Sequence, residues 1–144
     1  MDWKSILKPR PQPPVTSIVL LLLRVVAGAA FAIHGWGKIQ HPFDWMGPSA
    51  STSGFLQFLA AISEFGGGLC WILGLVTPIA SLGILCTMAY AVHFHWIVNG
   101  HPFVDPTGGP AFELAAVYLT LAVSFILLGP GRLSLDSKIF GQRP

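Results

Sequence analysis

Apolar positions gather in four long blocks, with polar and proline- or glycine-rich stretches between them. Residues 16–38, 54–76, 78–98 and 110–128 each supply the roughly 20 mostly apolar residues that a helix needs to cross a bilayer. Pro78 and Pro110 suit helix N-termini, where a missing N–H costs nothing. Gly129-Pro130-Gly131 stops the fourth helix. The join around Thr77 is short and makes the second and third helices antiparallel neighbours. The pattern predicts an all-α fold, an integral membrane four-helix bundle. It divides the chain into an arm (1–15), the four-helix domain (16–131) and a tail (132–144).

Composition strengthens this picture. The chain is 53% hydrophobic and 10% charged, against about 25% charged in an ordinary soluble domain. Charge placement then sets orientation. Lys4, Lys8, Arg10, Arg132, Lys138 and Arg143 flank the first and last blocks, and the loops 39–53 and 99–109 carry no Lys or Arg. Basic residues stay on the cytoplasmic side, so the N- and C-termini are both expected to be cytoplasmic. A net charge of +2, placed in this way, argues against nucleic acid as a partner. The bilayer is the expected partner. Cys70 and Cys86 sit inside apolar blocks without a CxxC, which reads as packing rather than thiol chemistry. The basic start does not read as a signal peptide, because the apolar block after it is too long and lacks a small-residue cleavage site.

Ionisable side chains inside a membrane span mark function or buried pairing. Here they are Arg24, His34, Lys38, Glu64, His93, His95 and Glu113. On the first helix, Lys38 lies about 40° and His34 about 80° from Arg24 around the axis, so the three share a face. Comparing depths from the outer helix ends (roughly 21 Å for Arg24, roughly 15 Å for Glu64) predicts a buried Arg24–Glu64 ion pair. That pair could serve function or only fix helix register. His34, Lys38, His93 and Glu113 are expected to form a shallower polar layer near the outer face. Phe31, Trp36 and Tyr90 are expected to wall a flat ligand there. On the third helix, the i, i+4, i+7, i+11 spacing of Cys86, Tyr90, His93 and Ile97 predicts an inward stripe, with His95 facing away from His93.

All five histidines fall in the outer half, which invites a metal. No pair has i, i+4 zinc spacing and no HExxH occurs, so no metal is assigned. Haem held between His34 and His93 is geometrically open but ranks below a polar hydrogen-bonded pocket.

The residues carrying this chemistry resemble the DoxX family of small four-helix membrane proteins. The matching pieces are Arg24 with Gly28, HGWGK (34–38), EFGGGLCWILGLVTP (64–78), His93, Glu113 and LGPGRLSLD (128–136). In this order they cover about residues 17 to 136. The resemblance implies a bundle in the bacterial inner (cytoplasmic) membrane, crossed several times. It also implies relatives acting as subunits of a thiosulfate:quinone oxidoreductase, in quinone or thiol stress, or as membrane chaperones.

Two functions follow as expectations. One is a quinone or similar small ligand bound near the outer face in membrane redox chemistry. His34 and His93 would move protons, Lys38 would stabilise a developing oxyanion, and Glu113 would carry protons. The chain has no flavin, haem-c or iron–sulfur motif, so electrons would come from a partner in a respiratory or redox complex or from the quinone itself. The alternative is a non-catalytic accessory or chaperone-like subunit, and a homo-oligomer fits either. The sequence does not establish that the chain is an enzyme.

Overall fold

The computed structural model of the protein describes residues 7–142. Lys4 and Arg143, two of the basic residues used above for orientation, lie outside them. The long helices are α1 (Pro14–Gln40), α2 (Gly54–Leu73), α3 (Thr77–His93) and α4 (Glu113–Leu128). α3 runs on through a π-helical turn, Phe94–Val98, and a short α5, Leu135–Phe140, follows α4. No strand occurs among the described residues. α1, α2 and α3 with its π-turn are long and apolar enough to cross a membrane, while α4 is apolar but shorter, with 16 residues.

Two helix boundaries differ from the expectation for physical reasons. α2 stops at Leu73 because Gly74 turns left-handed (φ 63°) and returns its N–H to the carbonyls of Cys70 and Trp71, an αL cap. α4 starts at Glu113 and not at Pro110. The N–H groups of Phe112 and Glu113 donate to the carbonyls of Pro102 and Phe103. The loop therefore folds back on itself and takes up residues the helix would have used.

α1 packs on α2, α2 on α3, and α3 on α4. α1 and α2 approach most closely. A Cβ on Gly28 would meet the Gly68 carbonyl oxygen at 2.6 Å, and one on Gly68 would meet the Ala32 nitrogen at 2.6 Å. Small residues permit this backbone contact, which drives helix association in lipid. Gly68→Val is expected to force the pair apart and destabilise the protein by about 1–3 kcal/mol. Thermal unfolding in detergent micelles, followed by circular dichroism, checks this. An unchanged midpoint would show that the α1–α2 contact contributes nothing.

The core lies midway between the ends. Trp71 is fully buried and takes the edges of Phe31 and Phe125, at 5.4 and 4.8 Å between ring centroids. Its Nε1 donates to Ser81 Oγ at 2.9 Å. α1 and α4 meet through side chains, with Phe31 against Tyr118 at 4.7 Å.

The basic end is closed by α5. Asp136 is fully buried. Its carboxylate accepts from the Val76 and Thr77 N–H groups at 2.6 and 2.8 Å, capping α3. The Asp136 N–H donates to the Gly74 carbonyl at 2.8 Å. Arg24, also fully buried, donates from Nη2 to the Leu133 carbonyl at 2.6 Å. Arg24, the α2–α3 turn and the segment before α5 thus form one polar lock.

A polar site at the loop end

Glu64 and Lys38 form the centre of the site. Lys38 Nζ donates to both carboxylate oxygens of Glu64, at 2.6 and 2.7 Å. The Glu64 side chain is 5% exposed and that of Lys38 25%. The ammonium also sits 4.3 Å from the Trp45 ring centroid, a cation–π contact. Ion pair and ring together let a lysine and a glutamate remain in an apolar bundle.

The expected Arg24–Glu64 pair does not form. Gly28 lies against Gly68 and Ile72, and Gly35 against Glu64 and Phe65. In that register Lys38 faces Glu64, while Arg24 lies near Gly74 at the opposite end. Arg24 and Glu64 are then separated by about ten residues of helix, roughly 15 Å along the axis. The outer ends of α1 and α2 are not level, because α2 starts more than a turn beyond the end of α1.

A cavity opens on each side of the pair. The first, about 230 Å³, lies under the 41–53 loop and is bordered by Trp45, Thr52, Gln57, Tyr90 and His95. Gln57 pins that loop. Its Nε2 donates to the Thr52 carbonyl, its Oε1 accepts from the Met46 N–H, and its carbonyl accepts from Trp45 Nε1, at 2.9, 3.0 and 2.9 Å. Thr52 Oγ1 and the Tyr90 hydroxyl are 2.7 Å apart. The second cavity, about 250 Å³, lies between α1, α3 and α4 and is bordered by Phe31, His34, Met88, His95 and Tyr118. Lys38, Glu64 and His95 border both cavities. Below the second, an apolar cleft of about 280 Å³ follows the α1–α4 seam past Leu22, Val26, Ala27 and Leu121, and Tyr118 borders it as well.

The structure therefore brings together Phe31, His34, Lys38, Glu64 and Tyr90 among the expected site residues. It leaves out His93, Glu113 and Trp36. His93 is exposed, because the inward stripe of α3 is Thr77, Ser81, Ile84 and Met88. Continuing that spacing through Ala91 reaches His95. Of the expected stripe Cys86, Tyr90, His93 and Ile97, Tyr90 alone borders a cavity, and Cys86 is exposed like His93. His34 and His93 border no common cavity in which a haem would sit between them. Glu113 is exposed at the first position of α4 and borders neither cavity. Trp36 is 58% exposed and packs on Phe65 at 5.6 Å, outside both cavities. No group of three or more His, Cys, Asp or Glu among the described residues could hold a metal.

Sequence reasoning had turned His95 outward and did not single out Tyr118 or Gln57. The i, i+4, i+7, i+11 series from Thr77 was the available signal for His95. Tyr118 carried none beyond being a tyrosine in an apolar block.

His95 also reaches the loop that follows α3. Its Nδ1 lies 2.8 Å from His101 Nδ1, and the His101 N–H donates to the His95 carbonyl at 2.9 Å. The loop after α3 thus returns to the cavity wall through a pair of histidines.

Residues 19–99 match the family model for DoxX. The inner membrane protein YqjF of Escherichia coli (strain K12) is 30% identical over 131 aligned residues, covering 81% of this chain and 88% of that protein. No solved structure matches. The matched region holds most of α1 with α2 and α3, including Arg24, His34, Lys38, Glu64 and His95. With more than half of its length matched by the model and several apolar helices, the chain belongs to the DoxX family, as a multi-pass inner-membrane protein.

Proposed function

We propose that the chain binds a quinone or similar lipid-soluble ring compound at the loop end, in the service of membrane redox chemistry. One observation carries this reading: the cavity beside Lys38–Glu64 and the apolar cleft along the α1–α4 seam share Tyr118 as a wall. A flat, hydrogen-bonding head on a long apolar tail matches both parts. Phe31 and Tyr118 supply aromatic walls. His34, His95 and the Tyr118 hydroxyl supply donors for ring carbonyls. Lys38 acts differently from the sequence expectation. Two of its three N–H bonds go to Glu64 and the ammonium rests on Trp45, so it contributes electrostatic field rather than a direct bond to the head. Electrons come from a partner protein or a second quinone.

The test is a titration of the full chain in lipid nanodiscs, read by tryptophan fluorescence. Two ubiquinone analogues with the same ring are used, one with a decyl tail and one without. Saturable quenching is expected, and His95→Ala should weaken it at least about tenfold, roughly 1.4 kcal/mol. Filling the seam with Ala27→Leu should reduce the advantage of the tailed analogue and leave the tail-free one unchanged. Absence of saturable quenching with either analogue would sink the proposal.

A second reading is favoured by the mutual neutralisation of Lys38 and Glu64. Such a pair can hold helices in register with no chemistry. The chain would then be an accessory subunit of a larger membrane complex, and a chain that always purifies alone from native membranes would exclude that.

A further inference from the structure

We propose that His95 and His101 form a proton relay between the cavity and the solvent at the loop end. This deepens the ligand reading above and rests on it. The Nδ1 atoms of the two rings lie 2.8 Å apart, with centroids 5.1 Å apart. That is the separation of an N–H···N hydrogen bond. Zinc or copper bonded to both nitrogens at about 2.0–2.1 Å in tetrahedral geometry would hold them more than 3 Å apart, so the spacing favours a shared proton over a shared metal.

The bond fixes the chemistry of the pair. One ring donates its Nδ1–H and leaves its Nε2 bare. The other accepts at Nδ1 and carries its proton on Nε2. With His101 as donor, a proton from water binds His101 Nε2. The His101 Nδ1 proton passes to His95 Nδ1, and the His95 Nε2 proton leaves for an acceptor in the cavity. One proton has crossed and both rings are neutral again. The hydrogen bond has reversed, so the couple is now set to take a proton back from the cavity and return it to water. A quinone takes up two protons on its way to quinol, so the couple passes the first and must return to its starting tautomers before it passes the second.

Placement supports the assignment. His95 borders both cavities and His101 borders neither. His101 belongs to the loop after the π-turn and stands behind His95, away from the ligand space. The groups that share cavity walls with His95 are Lys38 and Glu64 in both cavities, Tyr90 in the first, and His34 and Tyr118 in the second. Phe94 turns its ring edge-on to His95 at 6.0 Å. Lys38 and Glu64 are bonded to each other, which leaves His95 as the imidazole shared by the two cavities.

The bland alternative is a strap, in which His101 merely ties the loop to α3. Two measurements test the relay, and the second separates it from the strap. In protein with ¹⁵N-labelled histidine, the relay requires a through-hydrogen-bond coupling between the two Nδ1 atoms at neutral pH. Its absence from the wild-type chain overturns the proposal without reference to any ligand. The second follows reduction of the bound decyl-tailed ubiquinone by added dithionite, which supplies two electrons while water supplies two protons. His101→Gln keeps a hydrogen-bonding side chain but cannot pass a proton, and His101→Ala removes both. Both variants should bind the analogue as the wild type does. Both should form quinol about a hundredfold more slowly, and added imidazole should restore the rate of His101→Ala. Wild-type rates in both variants, or a slow His101→Ala that imidazole does not restore, would assign His101 to the strap. Failure of the analogue to bind wild-type protein would remove the ligand reading and the relay together, whereas normal binding with no rate effect removes the relay alone.

Discussion

Asp136→Asn is expected to destabilise the protein by about 3–5 kcal/mol, the range for removing one partner of a buried charged set. The carboxylate caps the first turn of α3 through two backbone N–H groups and lies beside the buried Arg24. An amide of the same shape loses the charge and can offer only one acceptor oxygen. Its NH₂ group would then point a donor at a donor. Arg24 would keep a single bond, to the Leu133 carbonyl, at a site with no access to water. Arg24→Lys should not be tolerated either, because a lysine ammonium does not reproduce the planar fork of the guanidinium. The measurement is the fraction of folded protein surviving heating in detergent, read by size-exclusion chromatography. A wild-type melting profile for Asp136→Asn would show that the tail packs without locking the bundle.

Glu64→Ala is expected to cost about 3 kcal/mol, at the lower end of the range for breaking a buried pair. The lower end applies because Lys38 keeps 25% exposure and can swing its ammonium toward the loop face. Lys38→Ala should cost more, since it leaves the deeper partner unpaired. The double change to apolar residues, Lys38→Met with Glu64→Leu, should recover much of the loss, because a buried ion pair is often no better than well-packed apolar side chains. A double-mutant cycle reads the coupling. Strict additivity of the two single losses would mean that the pair holds nothing together. The same double variant bears on function, since it should fold yet lose the field that the ligand head is proposed to meet.

The helices were legible because lipid imposes a length and a composition that few other environments require. Lys38 and Glu64 were legible for a related reason, since charge inside an apolar block is conspicuous. Their partnership was not. It depends on how far α2 rises past α1, and that follows from where Gly28, Gly35 and Gly68 let the backbones touch. Composition records that glycines are present without stating which carbonyl each will meet. The choice of His93 over His95 failed similarly. Both stripes have helical spacing, and only packing on α2 and α4 decides which turns inward. Asp136 lay in a segment read as a tail, where a carboxylate looks solvated. Its role appears only when the chain end returns to the α2–α3 turn.

The unequal lengths of α1 and α4 act on the lipid as well as on the protein. α1 has 27 residues and α4 has 16, or about 40 Å and about 24 Å of helix. A hydrocarbon layer of about 30 Å is too thin for one and too thick for the other. Tilt takes up the excess at α1, while the leaflets must dimple beside α4. The two helices border the same seam, so the membrane changes thickness there over a few lipid diameters. Lipids on that slope are strained, and displacing one relieves part of the strain. The shape of this small protein therefore favours exchange between the bilayer and the cleft at the place where a tailed molecule would slide in.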